Sequence, residues 1–165
     1  MDNKCNMPDF GSIFNRVPRA RAELRGSNQY PGIRGDIWFY ETGIGILVVS
    51  DIAGLPVSSV GGNSPIFALH IHEGSGCTGI GSDPFAGAGT HYNPDNLPHP
   101  YHAGDLPPLF GVNGYAFSVV LTDRFSIDEI IGRTIIIHSA PDDFTSQPAG
   151  NSGTKIACGV IQMWV

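Results

Sequence analysis

The chain has 165 residues, a formal net charge of −6, 15% charged and 41% hydrophobic residues, which suffices for one domain with its own core. No stretch approaches the roughly 18 apolar residues of a membrane-spanning helix. Beyond residue 34 the only basic residues are Arg124, Arg133 and Lys155, too scattered to build a nucleic-acid-binding face.

Residues 1–19 lack periodicity and include Pro8, Gly11 and Pro18, so they are expected as an extended N-terminal leader ahead of a single domain over residues 20–165. Lys4, Arg16, Arg19, Arg21, Arg25 and Arg34 make this end basic, and a solvated arm is the expectation. It holds no apolar h-region of a secretory signal. The chain as given is therefore expected in the cytoplasm, or outside it if a signal has been removed. Strands are predicted at 20–25 and 33–40, with a turn at 27–32 between them. Gly43 and Gly45 mark a hairpin before a strand at 46–49. A turn at Gly54-Leu55-Pro56 leads to the apolar run 66–72. From His72 to Leu109 the chain is rich in turns and poor in helix signals. Strands resume at 115–121 and 134–138, and 155–165 closes the chain. Residues 123–131 could include a helical turn, and a plain connection between strands fits as well. The 22 Gly and 13 Pro are dispersed between these runs, the composition of many short strands joined by tight turns. About eight strands, all-β, is the expectation.

Five of the six histidines fall between His70 and Asp105. In a strand, residues i and i+2 share a face, so His70 and His72 project together while Leu69 and Ile71 enter the opposite layer. An isolated pair of this kind is often a hydrogen-bonded core pair. Here His91, His99, His102 and Asp105 follow at spacings of eight, three and three, in a Pro- and Gly-rich loop that has little core of its own. A coordinated ion would organise such a loop, and three imidazoles with a carboxylate suffice for a closed tetrahedral zinc site.

Five blocks then carry a resemblance: His70-Ile-His72-Glu73, Gly89-Thr-His91-Tyr-Asn-Pro94, His102-Ala-Gly-Asp105-Leu106, Gly132-Arg133-Thr-Ile-Ile-Ile-His138, and Gly150-Asn-Ser-Gly-Thr-Lys155-Ile-Ala-Cys158-Gly-Val-Ile161. In this order they resemble the copper/zinc superoxide dismutases over residues 20–165. The resemblance implies an eight-stranded Greek-key β-barrel or sandwich, immunoglobulin-like, with long metal-binding loops. It implies copper on His70, His72, His91 and His138, and zinc on His91, His99, His102 and Asp105, with His91 bridging the two. Copper would oxidise one superoxide to O2 and reduce a second to peroxide, and His91 would hand over a proton. The resemblance matches Asp142 to a carboxylate that links a copper histidine to a zinc histidine, with a turn-initiating Asp as the alternative. It matches Cys77 and Cys158 to a disulfide whose loop of about 80 residues corresponds to roughly 4.5 kcal/mol in the chain-entropy model. Cys5 has no partner in this scheme. Superoxide is the implied substrate, no nucleic acid or membrane is implied, and a homodimer is compatible.

Three positions depart from the family's pattern. Lys155 stands where an Arg usually docks the anion, keeping the charge without the planar fork of donors. The stretch 139–153 holds only Asp142 and Asp143 as charges. Only Pro100 and Tyr101 separate His99 from His102, a short zinc loop, whereas 77–91 is long, as in bacterial-type members. A catalytically weak copper- or zinc-binding protein on the same fold is the alternative. A zinc hydrolase is disfavoured, because four protein ligands leave no open position for water.

Overall fold

A computed structural model describes residues 10–13, 15–57 and 65–164. Its strands are β1 (Ala20–Gly26), β2 (Arg34–Glu41), β3 (Ile46–Ala53), β4 (Ile66–His72), β5 (Asp105–Phe110), β6 (Tyr115–Thr122), β7 (Thr134–His138) and β8 (Lys155–Met163), with single helical turns α1 (Phe10–Ile13) and α2 (Ile127–Ile130). All pairings are antiparallel, in the order β5-β4-β7-β8-β1-β2-β3-β6. The sheet curls until β5 and β6 face each other across a groove lined by Leu106, Pro107, Val120 and Leu121. The result is the expected eight-stranded, nearly closed Greek-key barrel.

Alternation produces the core. In β1, Ala20, Ala22 and Leu24 are buried inward while Glu23 is exposed, the signature of a half-buried strand. Leu24, Ile37, Phe39, Ile52, Phe67, Leu69, Ile71, Ile135 and Ile161 fill the interior. Strands β4 and β7 depart from alternation, since nearly every residue is buried. Phe67, Leu69 and Ile71 enter the core, whereas His70 and His72 lie on the other face, beneath the loops. On β7, Ile136 packs with Phe85, Ala88 and Cys158 rather than with the main core. The barrel wall therefore has a second apolar layer where long loops cover it.

Strand β5 is missing from the sequence expectation, which treats the chain up to Leu109 as turns. Pro107 and Pro108 disguise it. The pairing with β4 shifts register between Phe67 and Leu69, so Pro107 and Pro108 together stand opposite Ala68 in a bulge of a terminal strand, where prolines are tolerated. The helical turn expected near 123–131 is α2, begun by Ser126, whose backbone N–H and hydroxyl both donate to the Glu129 carboxylate at 2.7 Å.

The expected extended leader also differs. Lys4 and Cys5 lie outside the described residues. From Phe10 to Ile13 the chain makes α1, and Ile13, 2% exposed, packs on Leu47, Val49, Trp38 and Tyr40 of the outer barrel wall. Nor do Arg19, Arg21 and Arg25 form a solvated arm. They pair with Glu41 and Asp128, Asp36, and Glu23 respectively; the pairs of Arg19 and Arg25 are exposed and of small individual value, while Arg21–Asp36 is partly buried. Among the described residues no helix is long and apolar enough to cross a membrane.

Docking of α1 predicts that Ile13→Ala lowers stability by roughly 2 kcal/mol, the low end for a buried isoleucine. The measurement is the urea midpoint, and an unchanged midpoint would show that the turn is not held there.

Candidate metal centre

Strand register brings the site together before any side chain is considered. His70 lies opposite Asp105 across β4–β5. His72 forms an isolated bridge with His91. His138 sits opposite Lys155 across β7–β8, at a bulge. Gly104 allows the loop to approach β4: its N–H donates to Tyr92 O, its carbonyl accepts from Ile71 N–H at 2.9 Å, and a Cβ there would lie 2.2 Å from Ile71 O.

Two buried groups of potential metal ligands result, His70-His72-His91-His138 and His91-His99-His102-Asp105. These are the two sets expected from the sequence, and His91 belongs to both.

The hydrogen bonds decide which nitrogen of each ring keeps a lone pair, because a carbonyl or carboxylate oxygen only accepts. His72 donates from Nδ1 to Gly89 O at 2.9 Å, and His138 directs Nδ1 at Gly153 O at 3.4 Å. Their Nε2 lone pairs therefore point at each other, 3.2 Å apart. Asp142 receives Nε2–H of His70 at 2.8 Å on one oxygen and Nε2–H of His99 at 2.9 Å on the other. This leaves Nδ1 of both rings free, and both are buried without a hydrogen-bond partner, as is Nε2 of His91. His91 Nδ1 lies 2.8 Å from Asp105 Oδ1 and 3.4 Å from His102 Nδ1, and His99 Nδ1 lies 3.0 Å from Asp105 Oδ2. Acceptor faces acceptor between His72 and His138 in the first group and between His99 Nδ1 and Asp105 in the second. A cation between them relieves that repulsion, so the donor sets fit metal ions.

Titration points the same way. Burial lowers the imidazoles: His72 to about 3, despite its bond to Gly89, and His138 to about 4, aided by repulsion from His91. His70 is pushed further down by burial and by the neighbouring histidines. All three are neutral at physiological pH, the form in which an imidazole can ligate a metal. Burial would raise the Asp105 carboxyl, but the hydrogen bond from His91 and the nearby imidazoles outweigh it and hold it below its ordinary value.

Several supports escape a sequence reading. Gln147 pairs with the His99 backbone in both directions, accepting from its N–H at 3.0 Å and donating to its carbonyl at 2.7 Å. Arg124 points one guanidinium nitrogen at the carbonyls of Pro100, His102 and Asp105, 3.0–3.3 Å away. Gly150, at φ +64°, lies so close to the Asp142–His99 bond that a Cβ would sit 2.0 Å from Asp142 Oδ1. Only the Gly type hinted at that position. Cys77 and Cys158 are disulfide-bonded and tie the long loop to β8.

A cavity of about 510 Å³ opens onto His72, His91 and His138. Lys155 lines it, as the sequence suggests, but its ammonium is engaged, donating to Asp83 Oδ2 at 2.8 Å and Phe85 O at 3.2 Å.

Comparison with known proteins follows the same line. The model of the copper/zinc superoxide dismutase (SODC) family matches residues 33–161. The chain is 32% identical over 168 residues to the Cu-Zn superoxide dismutase 2 of Aquifex aeolicus, covering 93% of this chain and 92% of that one. It is 34% identical over 164 residues to the Cu-Zn superoxide dismutase of Deinococcus radiodurans, covering 88% and 85%. Among solved structures it is similar to the Cu/Zn superoxide dismutase from Brucella abortus, with a TM-score of 0.72, 25% identity, and coverage of 86% of this chain and 98% of that one.

Two outcomes follow from the geometry. Unfolded histidines take up a proton near pH 6.5, whereas folded His72 and His138 resist protonation to about 3 and about 4. Between those limits the unfolded state binds more protons, so the metal-free protein loses stability as pH falls from about 6.5 toward 3. Urea midpoints of chelator-treated protein at successive pH values measure this, and a flat profile would contradict it. Asp142→Asn can accept from only one of its two histidines and turns an amide N–H toward the other. It weakens zinc binding by roughly 10–100-fold, read by competition with a chromophoric chelator.

Proposed function

The chain belongs to the copper/zinc superoxide dismutase family, and we infer that its two buried ligand groups are the metal centre through which it disproportionates superoxide to O2 and hydrogen peroxide. In this proposal His70, His72, His91 and His138 hold copper, a set of four imidazole donors that suits that ion. His91, His99, His102 and Asp105 hold zinc, three imidazoles and a carboxylate being a closed zinc shell. When bound, copper supplies the one-electron couple that the reaction needs, whereas zinc has no redox states and supplies charge and order.

The observation that carries the proposal is the membership of His91 in both groups. With Nδ1 directed at Asp105 and His102, its unpartnered Nε2 belongs to the other group and can hold a proton there. Peroxide formation consumes protons, and His91 is placed to deliver one at the cavity. Asp142 keeps His70 and His99 in the tautomers that aim Nδ1 inward, and so couples the two groups. Lys155 is the cation beside the histidines on the cavity wall, where it would attract the anionic substrate.

The test is to load the protein with copper and zinc, confirm one of each per chain, and follow superoxide consumption. Catalytic consumption is expected, with kcat/KM reduced roughly tenfold in Lys155→Gln through loss of the attracting charge. His91→Ala is expected to change the visible copper spectrum. Full occupancy without turnover would leave a metal-binding protein instead.

A further inference from the structure

Lys155 does not stand in the cavity as a free cation. Its ammonium donates to Asp83 Oδ2 at 2.8 Å and to the carbonyl of Phe85 at 3.2 Å. The lysine side chain is 14% exposed and that of Asp83 is 44% exposed, so the acid is the more accessible member of the pair. Both residues line the same cavity as His72 and His138. Burial would raise the Asp83 carboxyl, but the bond from Lys155 and the backbone N–H of Phe85 hold it below its ordinary range. It is therefore a carboxylate at neutral pH, and the pair has no net charge.

The covalent frame makes the pairing persistent. The Cys77–Cys158 disulfide fastens the loop that contains Asp83 to the strand that contains Lys155. Phe85, beside the pair, is packed into the small apolar cluster around that disulfide. A carboxylate is thus held within hydrogen-bond reach of the ammonium, where a diffusing anion would otherwise bind.

We propose that Asp83 is a positioning residue acting through Lys155: an internal carboxylate that competes with small anions for the ammonium and so sets the anion affinity of the cavity. The proposal rests on the dismutase function above for its substrate, but the pairing itself can be measured without turnover. A superoxide ion must displace the carboxylate from Lys155 or share the ammonium with it. The negative charge of Asp83, which keeps its bond from Phe85 N–H on Oδ1, repels the anion at the same time.

The test uses the copper- and zinc-loaded protein and azide, a small monovalent anion whose binding to copper is followed by absorption. Asp83→Asn is a suitable variant because the amide oxygen can still accept from Phe85 N–H. Asp83→Ser is a second one, should the first not accumulate as folded protein with full metal content. Either is expected to tighten azide binding roughly three- to tenfold at low salt, the scale of one nearby partly screened charge. Asp83→Glu is expected to retain the parent affinity. In a Lys155→Gln background, Asp83→Asn is expected to change azide affinity less than about twofold, which separates action through the lysine from a general change of charge. Unchanged or weaker azide binding in both Asp83→Asn and Asp83→Ser would overturn the proposal, as would an equal gain in the Lys155→Gln background. Absence of superoxide turnover in the parent would instead overturn the function and leave the azide result interpretable.

Discussion

Nitrogen lone pairs facing one another among buried side chains are the constraint on which the rest of this structure depends. His72 and His138 aim Nε2 at each other, and His91, His99 and His102 converge on Asp105. A buried polar group without a partner costs about 1–3 kcal/mol, and opposed acceptors add repulsion. The protein accepts this because metal binding and folding share one free energy. Asp142 makes the arrangement specific. By accepting from His70 on one oxygen and His99 on the other, it chooses the tautomer of a ring in each group with a single side chain.

The loops that build the site are organised by contacts quite different from those of the barrel. Strand pairing delivers His70, His72 and His138, whose positions follow from register alone. The remaining candidate ligands, apart from Asp105 at the start of β5, come from chain that has little secondary structure, and they are held by Arg124 on three carbonyls, Gln147 on the His99 backbone, and the close approach at Gly104. Most of these are side chain to backbone bonds. They cost little sequence specificity at the ligands themselves, so the loops can vary in length while the donor atoms stay in place. The short connection between His99 and His102 fits this division, as does the long one between Cys77 and His91.

Much of this was legible in the chain because it depends on local chemistry. The alternation of β1, the apolar run of β4 and the i, i+2 spacing of its histidines follow from strand geometry, and β4 and β7 begin and end where the residue pattern places them. The pairing of His91, His99, His102 and Asp105 was visible in the clustering of donor types and, more sharply, in the order of the five family-like blocks. Strand β5 was hidden by Pro107 and Pro108, whose intrinsic preference is overridden by pairing on one side. Ile13 was hidden in a segment without periodicity, since one buried residue makes no pattern. Asp83, Gln147 and Arg124 were not singled out, because ordinary polar residues gain meaning only from a neighbour distant in sequence. Gly150 is intermediate: its type announces an unusual backbone, but the His99–Asp142 bond that it accommodates can be seen only once the loops are folded.

The prolines of β5 have an effect on what the molecule does not do. A barrel that closes incompletely leaves two strand borders, and an exposed row of backbone donors and acceptors invites a neighbouring molecule to add a strand. Pro107 and Pro108 remove two adjacent donors from β5, and β6 faces the same groove. An intermolecular ladder started there would be interrupted at once. The feature that obscures β5 as a strand thus acts as a guard against self-templated aggregation at the seam, two residues beyond the Asp105 that the same strand gives to the metal centre.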